Sequence, residues 1–554
     1  MARRARRRRA PRRPQHLGVL RPEAGPADEA THRGQRRPRE HHHRPGRVVG
    51  AARAGPGRLR LGHRQSGRRT LRHRRPVARP AVRAPPAGTG RRPRTGPGPR
   101  RHPAPARRAA ARARGRRPAV RGPAVRRRAV RRTTCREVPP VKIVVINAYV
   151  RENAGDAALL SVCLRQIREA FPGADVRVAG MEDPAVHPAF EDAPNLGSIR
   201  RHVADGTASR SRRILRKVYV GAAGAGLLLL PRTAAALLRR ALPAEARREA
   251  DALAGADLVV STGGAYVLAR PGLDGHQNVF FVLLPVLLAQ RAGVPVVFAP
   301  QSYGPFPSPL QRRLVARALG RSPLVLARED VSAAQLRGCG LPDTVVTRGV
   351  DSGFAFDPPP SSDWRARLGV PPEQRLVGVT ARRWLAPAAQ DAYERALAAT
   401  IDSVQATGAR VVLIPQVSTD YLGDDDRIVE RRIAAHCTQE PLLIEDRVDY
   451  RDLKGVYREC ALLIGTRFHS VIFSLTSGVP CVAIEYEHKT RGIMADLGLG
   501  AHVLAIEDVT HARLWALVAP LLQDDVDYRE QLRRRLPGYV AEAERFPGLL
   551  RAAL

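Results

Sequence analysis

Leu462-Leu463-Ile464-Gly465-Thr466-Arg467-Phe468-His469-Ser470 holds a strand, a turn and a helix start in nine residues. The apolar run has strand length and ends at Gly465. A cation and an imidazole follow two residues apart, and residues 471–477 have a helical pattern stopped by Gly478-Val479-Pro480. In an open α/β sheet, ligands bind beyond the carboxyl ends of strands, where helix N-termini present unpaired N–H groups and a positive dipole end. Arg467 adds a planar fork suited to phosphate or carboxylate, and His469 a proton that can be held or released near neutrality. The stretch predicts an anion site with a proton donor beside it.

Outward from this stretch the same alternation repeats. Upstream, strand patterns at 376–380, 410–416 and 442–444 alternate with helical patterns at 389–407, 427–436 and 450–459. Downstream come a strand at 481–485, a helix around 489–497, a strand at 503–506 and a helical tail. An earlier series begins with Lys142-Ile143-Val144-Val145-Ile146-Asn147, a loop through Asn153-Ala154-Gly155-Asp156, and a helix ended by Pro172-Gly173. It continues with a strand at 175–180 and with Asp257-Leu258-Val259-Val260-Ser261-Thr262-Gly263-Gly264, whose glycine pair permits close backbone approach or a tight turn. A helix at 279–290 follows, then a strand at 295–302 with Gln301 at its carboxyl end. Next is a strand at 324–330 carrying Arg328, and then a helix capped near Ser332. Asp357-Pro358-Pro359-Pro360-Ser361-Ser362 separates the two series as a linker. The expected fold is α/β: two Rossmann-like doubly wound domains, 141–357 and 358–554, facing a cleft that suits a transferase holding donor and acceptor.

The formal net charge of +43 divides unevenly. Residues 1–140 hold 44 Arg, no Lys and 5 acidic residues; the other 414 residues are close to neutral, at +4. With no Phe, Tyr, Trp, Ile or Asn, that leader cannot bury enough apolar area to offset chain entropy, so disorder is expected. It reads either as an arm for nucleic acid or as upstream G+C-rich sequence translated from a start placed too early. The second reading is favoured, with Val141 as the native start, and no nucleic-acid partner is then expected. The six Cys (135, 163, 339, 437, 460, 481) show no metal spacing; Cys163, Cys460 and Cys481 sit in apolar surroundings, as in a reducing cytoplasm.

Residues 197–245 interrupt the first domain. Arg200, Arg201, Arg210, Arg212, Arg213, Arg216 and Lys217 precede an apolar run at 218–230 that is broken by Pro231-Arg232 and too short to span a bilayer. The expectation is a buried helix pair; peripheral contact with an anionic membrane surface through 200–245 is the alternative.

Six segments in order carry a family resemblance: Asn153-Ala154-Gly155-Asp156, Ser261-Thr262-Gly263-Gly264, residues 299–305 around Gln301, residues 327–332 around Arg328, residues 465–470, and Glu485-Tyr486-Glu487-His488-Lys489-Thr490-Arg491. Together they resemble the polysaccharide pyruvyl transferases across nearly all of 141–510. The resemblance implies a fold like that of the two-domain glycosyltransferases of the B type. It also implies phosphoenolpyruvate as donor and a sugar of a polysaccharide or lipid-linked oligosaccharide as acceptor. Neither metal nor cofactor is implied. Arg328 and Arg467 match the donor-binding arginines and His469 the essential histidine.

That chemistry suits the residue types. Two guanidiniums from facing domains can clamp a compact trianion, His469 as imidazolium can protonate the enol methylene, and Asp156 or Glu485 can serve as base. Lys489 is a further phosphate ligand, and Asn153, Gly155, Gly263, Gly264 and Gln301 line the cleft in this reading. Plainer readings stand beside it. Arg467 and His469 can be a helix-start ion pair and a core histidine, Arg328 a strand-end salt bridge, Asn153 and Asp156 a helix cap. Two rival functions remain: a nucleotide-sugar glycosyltransferase of the same fold, with Glu485 on the ribose, and an arginine-rich nucleic-acid-binding protein.

Overall fold

A computed structural model of the chain describes residues 139–204, 209–419 and 424–553. Residues 1–138 of the leader, Cys135 among them, lie outside the described residues, and so do the readings made of them.

The first sheet contains β1 (Lys142–Ala148), β2 (Asp175–Gly180), β3 (Leu258–Ser261), β4 (Gly264–Val267), β5 (Val296–Tyr303), β6 (Leu324–Ala327) and β7 (Val346–Arg348). Its order is β2-β1-β3-β5-β6-β7, with β4 beside β5, and every pairing is parallel. The second contains β8 (Leu376–Thr380), β9 (Arg410–Leu413), β10 (Leu442–Leu443), β11 (Leu462–Gly465), β12 (Cys481–Glu485) and β13 (Val503–Ala505), in the order β10-β9-β8-β11-β12-β13, again all parallel. Strands such as Leu376–Thr380 and Leu462–Gly465 are buried along their whole length, which is why their apolar runs do not alternate. Each sheet reverses its winding between two neighbouring strands, β1 and β3 in the first, β8 and β11 in the second. Loops diverging there leave a crevice at the strand ends.

Backbone ties the two halves together at that crevice. Asn153 bridges Val417, the Ala154 N–H donates to the Gln416 carbonyl at 2.9 Å, and the Ser418 N–H donates to the Glu152 carbonyl at 2.9 Å. The C-terminal helix Phe546–Ala552 returns to pack on α1 (Ala154–Ala170), where the Gln166 amide donates to the Ala543 carbonyl at 2.8 Å. One apolar core therefore runs from Ile143 and Leu164 through Phe354 and Phe356 to Val379 and Phe473. Cys163, Cys460 and Cys481 are buried free thiols within it.

The insertion forms α2 (Ile199–Ala204), α3 (Arg210–Leu229), α4 (Arg232–Arg240) and α5 (Ala244–Ala254), which lie against α6 (Leu273–Ala292). The expected buried helix pair is corrected here. α3 buries one face only, Val220, Ala223 and Leu227, and α4 has no buried residue. The cause is geometric: α3 meets α6 along a single line of contact, close enough that a Cβ on Gly224 would come within 2.7 Å of Leu284. No described helix is long and apolar enough to cross a membrane. Ser332, expected to cap a helix, lies inside the helix Asp330–Gly338, whose N-cap is Glu329. Its hydroxyl accepts from the Tyr303 N–H at 2.7 Å.

Candidate active site

Segments that follow β1, β6, β8, β9, β11 and β12, together with β4 itself, line a cavity of about 200 Å³. Asn153, Asp156, Gly264, Arg328, Arg467, His469 and Lys489 line it, so seven of the residues read from sequence meet in one place.

On the first half, Asn153 caps α1: its side-chain oxygen accepts from the Gly155 and Asp156 N–H groups, and its amide donates to Asp156 Oδ2 at 2.6 Å. The capping reading and the cavity reading therefore hold together. Asp156 Oδ1 accepts from the Tyr266 hydroxyl at 2.8 Å. Burial pushes the Asp156 carboxyl up to about 6, against the hydrogen bond from Tyr266 and the charges of Lys489, Arg328 and Arg200. Gly155 itself lies under the His469 ring, where a side chain would collide with Nδ1.

Arg328 leaves the end of β6 and is buried. Its Nη1 donates to Asp351 Oδ2 at 2.5 Å, its Nε to Ser302 Oγ at 2.8 Å, and its guanidinium lies 4.8 Å from the Phe468 ring centre. The strand-end salt bridge anticipated as the plainer reading is thus present, and it fixes the guanidinium at the cavity wall. The partner is chiefly Asp351 rather than the adjacent Glu329, which lies 3.3 Å from Nε.

On the second half, Thr380 Oγ1 accepts from the Thr466 and Arg467 N–H groups at 3.0 and 3.3 Å, joining the ends of β8 and β11. Arg467 is the N-cap residue of the helix Phe468–Thr476, which has no side-chain cap. Its guanidinium is held by two carboxylates: Nε donates to Asp426 at 3.0 Å, and Nη2 to Asp424 at 2.9 Å. The helix-start ion pair named as the plainer alternative is present, since Arg467 carries its own counter-ions. The reason is burial, which a guanidinium tolerates only when paired. The two partners differ, however. Asp426 is buried and also accepts from the Gln416 and Val417 N–H groups, whereas Asp424 is 39% exposed and stands between Arg467 and Arg382.

His469 departs from expectation in its charge. Burial drives its pKa down to about 4, helped by Arg328 and Lys489 and opposed by Asp351, whose Oδ1 lies 3.8 Å from Nε2. Burial, with the two cations adding to it, thus favours the neutral imidazole in the ligand-free protein over the expected imidazolium. Nε2 is buried without a hydrogen-bond partner among the described residues. Lys489 pairs with Glu487 at 2.7 Å and lies 5.2 Å from the Phe468 ring centre. Tyr486 reports the field. Burial alone raises a phenol's pKa, yet Lys489, Arg382 and Arg467 together hold this one below its ordinary value. Four cations, Arg328, Arg382, Arg467 and Lys489, and two carboxylates, Asp156 and Asp424, line the cavity.

Four expected cleft residues do not line the cavity: Gly155, under the His469 ring, and three others. Gln301 is fully buried under the site, where its carbonyl accepts the Arg328 N–H at 3.2 Å. Gly263 serves packing, because a Cβ there would come within 2.8 Å of the Pro300 carbonyl oxygen. Glu485 is taken by Arg491, six residues on, and does not line the cavity. Sequence reading assigned no role to Tyr266, Asp351, Arg382, Asp424, Asp426 or Thr380. Asp351 and Thr380 follow or end strands and carried a positional signal; Tyr266 lies in β4, Asp426 starts a helix, and Arg382 and Asp424 lie in loops, all brought to the site only by the fold.

Residues 153–488 match the family model of the polysaccharide pyruvyl transferases. The amylovoran biosynthesis protein AmsJ of Erwinia amylovora is 27% identical over 310 residues, 53% of this chain and 72% of AmsJ. Among solved structures, the UDP-GlcNAc 2-epimerase of Neisseria meningitidis aligns with a TM-score of 0.46 at 11% identity, covering 74% of this chain and 99% of its own. The kitacinnamycin glycotransferase aligns with a TM-score of 0.42 at 15% identity, covering 75% and 100%.

Proposed function

Because the chain belongs to the polysaccharide pyruvyl transferase family, we propose that it moves pyruvate from phosphoenolpyruvate onto a sugar of a cell-surface polysaccharide or its lipid-linked precursor. The product is a cyclic ketal across two sugar hydroxyls, formed in the cytoplasm or at the inner face of its membrane. The observation that carries this reading is one cavity at the strand ends lined by four cations, with Arg328 from one half and Arg467 from the other on its wall.

Donor carboxylate and phosphate bring about three negative charges into a space of about 200 Å³. Arg328 and Lys489 face them, and the donor anion displaces the exposed Asp424 from Arg467 while buried Asp426 keeps the guanidinium aimed. The uncapped helix start at Phe468 adds backbone N–H groups. The same anion offsets Arg328 and Lys489, which add to burial in depressing His469, and so shifts the imidazole toward holding a proton.

A sugar hydroxyl then adds to the enol carbon. Its oxygen bonds to C2, its proton passes to Asp156, and the His469 proton goes to C3, turning methylene into methyl. The second hydroxyl displaces phosphate from C2 and closes the ring, its proton leaving with the phosphate or on the base. No metal or cofactor enters this scheme.

Incubation with phosphoenolpyruvate or with UDP-sugars, following phosphate and UDP release, decides between this chemistry and glycosyl transfer. Phosphate release lost in Arg328→Ala supports the proposal. UDP release without phosphate refutes it.

A further inference from the structure

α3 presents two opposite characters along its length. Val220, Ala223 and Leu227 face α6, while Ile214, Leu215, Val218, Tyr219 and Leu229 lie on the outside, Leu215 at 70% and Leu229 at 83% exposure. Leu237 of α4 continues the exposed apolar surface. Between residues 210 and 240 there are eight basic residues and no acidic one. An exposed apolar stripe flanked by cations, on a helix that does not span a bilayer, is the pattern of an element lying in a lipid headgroup layer.

Beneath α3 a groove of about 1090 Å³ opens beside α6. Val218, Gly221 and Phe281 supply apolar wall, and Arg200, Arg213 and Lys217 supply positive charge against one carboxylate, Asp274. Arg200 lies where the groove approaches the catalytic cavity. Its guanidinium is 5.5 Å from the ring centre of Tyr266, the residue that donates to Asp156, and its Nη1 is buried with no hydrogen-bond partner among the described residues. An unpaired buried guanidinium nitrogen beside an apolar channel fits a phosphate oxygen at the head of a lipid.

We propose that α3 and α4 seat this protein on an anionic lipid bilayer, and that the groove beneath α3 receives a phosphate-bearing lipid head from that surface. Charge selects the occupant. A protein partner for this face would need its own acidic apolar patch, whereas an anionic bilayer offers phosphate and acyl chain over the whole area. The proposal stands apart from the donor chemistry, because it concerns only how the protein meets a membrane.

The test uses the full chain, and it separates α3 from the arginine-rich residues 1–138, which attract anionic vesicles in every variant. A triple variant, Leu215→Ser, Leu229→Ser and Leu237→Ser, changes exposed positions outside the groove and leaves the charge untouched. Flotation with phosphatidylglycerol vesicles is run at low salt and at about 0.5 M salt, where charge attraction is largely screened. Wild type should retain salt-resistant binding that the triple variant loses by about ten-fold, with equal melting temperatures. A phosphatidylglycerol carrying a photoreactive headgroup should label peptides from 200–221 or 273–281, and Arg200→Gln should reduce that labelling. Equal salt-resistant binding by wild type and variant, or labelling confined to other peptides, overturns the proposal. Phosphoenolpyruvate binding, followed by calorimetry without vesicles, reports separately on the donor reading.

Discussion

Gly155 and His469 meet across the two halves so closely that a Cβ on Gly155 would lie 2.0 Å from Nδ1 of the imidazole. α1 of the first half and the Phe468–Thr476 helix of the second are therefore in register through one missing methyl group. Gly155→Ala should cut transfer about 100-fold by displacing the ring, a positioning loss. Stability should fall by about 1–3 kcal/mol from overpacking, offset in part by alanine's helix preference. Activity and melting temperature measured together check this; full activity would show that the contact does not position His469.

The His469 imidazole should titrate near 4 in the ligand-free protein, well below the ordinary histidine value. Arg328 and Lys489 both depress it, so an anion that neutralises them must raise it. NMR titration of the ring should show the midpoint climbing by more than one unit when phosphoenolpyruvate saturates the site. A midpoint that stays near 4 removes His469 as the acid.

Arg467 has one exchangeable and one fixed counter-ion. Asp424→Asn removes the competitor for the guanidinium and should lower the KM for phosphoenolpyruvate several-fold. Asp426→Asn strips a buried partner and should cost about 3–5 kcal/mol in stability. Initial-rate kinetics and denaturant unfolding distinguish them; equal behaviour of the two variants would contradict this division.

Tyr266→Phe tests the base. The Tyr266 hydrogen bond lowers the Asp156 carboxyl from where burial would place it, so its loss should push that carboxyl above about 6. The acid limb of the pH–rate profile should move to higher pH in the variant. An unmoved limb would assign it to another group.

Glu249 makes a stability prediction independent of catalysis. It is fully buried in α5, accepts the Ile199 N–H at 2.6 Å, and is pushed by burial up to about 8 from an ordinary 4.5. The folded state then holds a proton that the unfolded chain has released. Stability should fall as pH rises through the window from 4.5 to 8, by an amount on the order of a few kcal/mol, with no penalty below it. Glu249→Gln should flatten that slope in melting temperature against pH.

Local pattern in the sequence determined much of this protein: β-branched runs, helical periods and glycine or proline stops located two parallel-sheet halves, and they put Arg328, Arg467 and His469 at strand ends, where open sheets bind ligands. Tertiary structure alone decided what those groups are paired with and how they are charged. Arg328 finds Asp351 23 residues away, Arg467 finds Asp426 41 away, and Asp156 finds Tyr266 110 away. Ion pairing and pKa depend on distance and on exclusion of water, and both come into being only when each half folds and brings its strand-end loops together. The exposed face of α3 has the same origin, since a helix's period marks its apolar positions but only its neighbours decide which of them are covered.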